Sequence, residues 1–179
     1  MSAGRQHPVQ VEVDAAVIAA GDPEVADPIW WTASFYEDLE RYEESLRGFT
    51  KPQRLVWAVL WYCSEIHNGG HDQFFSNSTG MIWPDALEGL GRISRPDLQG
   101  ILREAIQRFP TPPSRERDER EDQMAEHDVR FDGLDEELWG AGRAHSLSDS
   151  LIAYIRSQPE AFYFSGVVRR APRRGTIEQ

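Results

Sequence analysis

A single cysteine, Cys63, is all the thiol chemistry the chain contains. That excludes an intrachain disulfide and a multi-cysteine zinc site. Its place among apolar residues favours a buried structural thiol over a reactive one. Apolar runs long enough to span a bilayer are missing. So is a basic start followed by an apolar core and a small-residue cleavage site; no secretory signal is expected, and the chain reads as cytoplasmic. There is no Gly-x-Ser-x-Gly elbow, no phosphate loop and no Cys–His neighbourhood, so nucleophilic chemistry has no local signature. No internal repeat, cofactor fingerprint or run of strands is found either.

Positive charge is also scarce. Thirty acidic residues face nineteen basic ones, a formal net charge of −11 over 179 residues. This balance opposes direct nucleic-acid binding and suits solubility or a basic partner. Its distribution is uneven. Residues 51–110 hold six residues of each sign, residues 1–50 hold ten acidic and three basic, and residues 111–137 hold eleven acidic and four basic. The excess therefore flanks a neutral centre, and the end from Arg169 is basic, with Arg170, Arg173 and Arg174.

What remains is helical periodicity, and the length suits one domain with a single core. Val9–Val13 alternates like a strand, but Asp14–Ala20 could equally begin a helix, so residues 1–30 read as a weakly ordered or helical extension. Thr32 or Ser34 would cap a first helix with Phe35, Leu39, Tyr42 and Leu46 inward and Glu37, Asp38, Glu40, Glu43 and Glu44 outward. Lys51-Pro52 opens the most apolar helix, proline being tolerated in a first turn. Trp83-Pro84-Asp85 and Ser94-Arg95-Pro96-Asp97 start two more, the second stopped by Pro110, Pro112 and Pro113. Ser114–His127 is a charge run, a solvated helix or a linker. Leu134 and Leu138 lie in the next apolar set, and Ser146 with Asp149 caps a last helix. An all-α bundle with short corners is the expected fold. Its domain spans residues 31–165, followed by a basic disordered tail over 166–179.

The apolar helix should end at Asn68-Gly69-Gly70, with Gly69 left-handed. Glu65, Asn68, Asp72, Gln73, Asn77 and Ser78 then surround the aromatic pair Phe74 and Phe75. They could line a polar pocket; the structural reading, in which they satisfy backbone groups where two helices meet, is preferred. His67 and His71 would face one metal only on an unbroken helix, with Glu65 and Asp72 nearby. The glycines break that helix, so no metal, cofactor or catalytic residue is assigned. A metal-dependent enzyme at this corner stands as the outside alternative.

The run Glu65-Ile-His-Asn-Gly-Gly-His-Asp-Gln-Phe-Phe-Ser-Asn-Ser-Thr-Gly80 resembles the signature of the bacterial DNA-mimic protein family. The likeness continues through Ala86–Gly91, Ile101–Pro110, Leu134–Leu138 and Leu151–Arg156, and covers roughly Leu39 to Phe164. The resemblance implies a non-enzymatic protein that competes with DNA for a basic DNA-binding protein, and a homodimer. The candidate surface is Glu37, Asp38, Glu40, Glu43 and Glu44 with Glu116, Asp118, Glu119, Glu121 and Asp122. Carboxylates can occupy a site built for backbone phosphates. An immunity-type interaction protein neutralising a basic partner is the main alternative.

Overall fold

The computed structural model describes residues 7–21 and 23–170. Among them the elements run β1 (His7–Val13), α1 (Ala15–Ala20), α2 (Asp27–Trp30), α3 (Leu39–Ser45), α4 (Lys51–Ser76), α5 (Trp83–Arg92), α6 (Pro96–Gln107), α7 (Arg117–Glu126), α8 (Leu134–Ala144), α9 (Leu147–Ser157) and β2 (Phe164–Arg170). The fold is a mostly α-helical bundle, as the periodicity predicts.

Helix α4 is the axis. Thr50 caps it by accepting from the Gln53 backbone N–H at 3.3 Å, while Gln53 Oε1 accepts from the Thr50 N–H at 2.9 Å. That capping box satisfies two donors that a helix start leaves orphaned, and Pro52 sits in the first turn without losing a bond. Leu55, Val56, Trp57, Ala58, Val59, Tyr62, Cys63 and Ile66 are all buried. Burial around nearly the whole circumference requires neighbours on several sides, and α2, α5, α7 and α8 supply them.

The chain turns within α4, at Gly69 and Gly70. The expectation that Gly69 is the left-handed residue is corrected: its φ of −162° is extended backbone open to any residue. Gly70 instead has φ 76° and ψ −175°, a combination that only glycine enters readily. A Cβ there would also strike the Asp135 carboxylate. The helix resumes at once, so Phe74 and Phe75 point back into the core and are fully buried. Phe75 stacks on Phe131 at 5.3 Å and meets Phe109 edge-on at 5.1 Å, fastening the second half of α4 to the chain just after α6 and to the segment before α8.

Three local expectations change. Neither Thr32 nor Ser34 caps α3; Asp38 does, accepting from the Arg41 N–H at 2.9 Å. Phe35 is buried all the same, from irregular chain ahead of the helix. The charge run contains a helix, α7, whose Arg120 is completely buried. Residues 7–13 and 164–170 are paired strands rather than an ill-ordered extension and tail. They run antiparallel, Val9 opposite Val168, Val11 opposite Gly166 and Val13 opposite Phe164. The alternation of Val9, Val11 and Val13 has meaning only beside that partner, which lies at the far end of the sequence. The rest of the basic segment, with Arg173 and Arg174, lies outside the described residues.

Candidate partner-binding cleft

The Gly69–Gly70 turn brings together Glu65, Gln73 and Asn77, which spend polar groups on one another. Glu65 is buried; its Oε2 accepts from Gln73 Nε2 at 2.7 Å and from Asn77 Nδ2 at 3.2 Å. His71 is fully buried, with Nδ1 2.5 Å from Asp135 Oδ1 and Nε2 2.9 Å from the Tyr62 hydroxyl. Asp135 also accepts from the His71 backbone N–H at 3.0 Å. One carboxylate on the first turn of α8 thus fixes both the imidazole and the chain at the glycine turn. Burial pushes the imidazole below its ordinary value, and the Asp135 bond and charge only partly offset this. Nδ1–H therefore donates to Asp135 and Nε2 accepts from Tyr62. His67 is exposed and its Nδ1 bonds the Cys63 carbonyl at 2.6 Å. The two histidines do not converge, and both nitrogens of His71 are engaged. Among the described residues no group of three or more His, Cys, Asp or Glu side chains is placed to hold a metal ion. Burial raises the Cys63 thiol to about 12, away from reactive thiolate chemistry. Asn68 and Asp72 face solvent, and Ser78 leaves the corner altogether for the cleft described next.

The two acidic blocks, far apart in sequence, meet. Glu37 and Asp38 from the approach to α3 line one cleft of about 560 Å³ together with Glu116, Asp118 and Glu119 at the start of α7. Tyr36, Ser78 and Met81 line it as well, and Arg117 is the one cation among its lining residues. Arg117 is occupied by Glu121 and the Ser76 carbonyl, each at 2.9 Å. Glu119 accepts from Ser114 Oγ at 2.8 Å. Glu116 and Asp118 are exposed and in no ion pair with another of the described residues.

The approach of the blocks has a mechanical cause. Arg115 donates to the Met81 carbonyl at 2.9 Å and to Glu43 Oε1 at 2.9 Å, with its guanidinium 5.5 Å from the centre of the Tyr42 ring. Trp83 Nε1 donates to the Pro113 carbonyl at 3.0 Å. Behind these, Arg120 donates to four carbonyls, those of Phe75, Asn77, Ser114 and Arg115, at 2.6 to 3.2 Å. Its guanidinium lies flat on Gly80, where a Cβ would collide with it. Burial lowers this guanidinium to about 10.

Of the ten acidic residues expected on the surface, five line the cleft. Glu43 is half-buried and spent inside, bonded to Arg54 at 3.0 Å as well as to Arg115. Arg54 reaches on to Asp85, which also takes Lys51 at 2.6 Å and the Tyr42 hydroxyl at 3.4 Å. Burial, then the Asp85 charge, pushes the Tyr42 hydroxyl up, so it stays a donor. Glu44 pairs with Arg41 at 2.8 Å, and Glu121 turns toward Arg117. Glu40 and Asp122 are exposed outside the cleft. Sequence reasoning missed Tyr36, Arg115 and Arg120. Tyr36 carried a signal, an aromatic off the inward stripe of its neighbours; the two arginines carried none, because every residue around them reads as solvated.

Fold and cleft together define a mostly α-helical protein whose prominent surface chemistry is a carboxylate-lined groove braced by Arg115 and the buried Arg120. The chain belongs to the DMP19-like protein family, whose sequence model matches residues 47–158. This is the DNA-mimic family that the corner motif resembles. No curated protein and no solved structure matches the chain. The matched stretch contains the glycine turn and the second acidic block, while Tyr36 and the first block precede it. No helix of the described residues is long and apolar enough to cross a membrane.

Proposed function

We propose that the chain is a non-enzymatic cytoplasmic DNA mimic that competes with DNA for a basic DNA-binding protein. One observation carries this reading: Glu37 and Asp38 line the same open cleft as Glu116, Asp118 and Glu119. Carboxylates from two separate elements gathered on one groove offer a basic surface negative charge of the kind that backbone phosphates offer it. The same carboxylates repel nucleic acid itself, so the partner is protein. The corner around Gly70 serves as structure, because Glu65, Gln73 and Asn77 bond one another and His71 is held by Asp135 and Tyr62. The functional unit is the 31–165 segment, and we extend to it the homodimer that the family resemblance implies.

The test is a gel-shift competition with the basic protein recovered from the host by affinity capture. Rising amounts of this chain should release the DNA, and Asp118→Lys with Glu116→Lys should fail to do so. A partner that carries DNA and this chain at once would replace mimicry with the immunity-type interaction reading.

A further inference from the structure

Tyr36 is the most exposed large aromatic among the described residues, at 78%. Its neighbour Phe35 is 3% exposed and is wedged against Trp57 and Trp61 at 5.7 and 4.7 Å. The Tyr36 ring leans on Phe35 at 4.6 Å with its planes 48° apart. A fixed aromatic base thus holds one face of the ring and leaves the rest to the cleft. Around it stand Glu37, Asp38, Glu116, Asp118 and Glu119, while the nearest cation of the lining, Arg117, is tied to Glu121 and Ser76. No ring contact among the described residues uses the open side of this ring.

We propose that Tyr36 is the docking position for an arginine side chain of a basic protein partner, the guanidinium stacking on the ring while its N–H groups reach the flanking carboxylates. The proposal rests on the acidic-cleft reading above and makes it more specific. Carboxylates alone attract any cation, lysine as well as arginine. An aromatic face between them favours the planar, weakly hydrated guanidinium, which stacks and still donates in its own plane. The bland alternative is that Tyr36 merely shields Phe35. It predicts no preference that depends on the Tyr36 ring.

The probes are fluorescently labelled nona-arginine and nona-lysine peptides, equal in length and charge, titrated against the full chain and followed by anisotropy. The variants are Tyr36→Ala, Tyr36→Phe and Asp118→Lys, with circular dichroism confirming that each folds. Wild type should bind nona-arginine about fivefold more tightly than nona-lysine, within the range that stacking on an exposed aromatic supplies. Tyr36→Ala should abolish that preference and leave nona-lysine binding unchanged, Tyr36→Phe should retain it, and Asp118→Lys should weaken both peptides alike. Equal affinities in wild type, or a preference that survives Tyr36→Ala, would overturn the role of Tyr36 and leave the acidic cleft intact. If neither peptide binds, the cleft reading fails along with it.

Discussion

At the scale of single residues, three buried positions set limits that the acidic surface then exploits. Gly70→Ala should destabilise the fold by about 1–3 kcal/mol, because the backbone region is nearly glycine-only and the new methyl meets Asp135. Gly69→Ala, at an ordinary φ and against only the flexible Gln73 side chain, should cost clearly less. Chemical denaturation of the two variants makes the comparison, and equal losses would refute the assignment. His71 adds a pH dependence whose sign follows from its environment. Burial holds the folded imidazole below its ordinary value of about 6.5, so the unfolded chain takes up its proton first. The stability held by neutral His71 is therefore complete above about pH 6.5 and falls away as pH drops toward the lower native value. The gap in denaturation midpoint between wild type and His71→Gln should narrow between pH 7.5 and 5.5. A gap that widens on acidification would contradict the neutral imidazole. For Arg120→Met the expected loss is on the order of 3 kcal/mol, since four carbonyls, one buried and three partly buried, lose a donor together. Arg120→Lys should recover little of it, an ammonium being unable to span the fork.

At the scale of elements, the cleft is a product of how α3 and α7 are held. Glu43 looks in sequence like its neighbours Glu40 and Glu44, yet it is the joint through which Arg54 and Arg115 tie α3 to α4 and to the approach of α7. Glu43→Gln should lower thermal stability, by about 1 kcal/mol for a partly exposed network, whereas Glu40→Gln should leave it unchanged. Matching melting curves for the two variants would mean that the joint contributes nothing. The main helices were legible because Leu55, Val59, Tyr62 and Ile66, or Leu98, Ile101, Leu102 and Ala105, repeat at three-and-four spacing and end at glycine or proline. The glycine turn was legible as a break but not to the residue, since two adjacent glycines offer the same permission. The strands escaped because β1 and β2 satisfy each other across almost the whole chain. The meeting of the acidic blocks was invisible for the same reason. It depends on Arg115 and Arg120, whose partners, Glu43 apart, are backbone carbonyls that carry no sequence signature.

At the scale of the whole molecule, the charge of −11 acts through its placement. The neutral centre folds into the core helices and the excess lies outside, so the negative potential concentrates where Glu37, Asp38, Glu116, Asp118 and Glu119 surround one opening. A basic protein approaching such a groove is steered before contact, which raises the association rate more than it slows dissociation. The interaction should therefore weaken steeply as salt rises from about 0.05 to 0.5 M, because the screening length shrinks from roughly 14 to 4 Å over that range. Reversing Asp118 and Glu116 to lysine should cut the association rate about tenfold or more at low salt and much less at high salt. Reversing Glu136 and Glu137, exposed on α8 outside the cleft, should have a smaller effect at every salt concentration. Stopped-flow binding to the captured partner separates these cases. Equal effects from the two pairs would show that total charge, rather than its gathering at the cleft, drives association. A salt-independent rate would show that electrostatic steering is not how the partner is found.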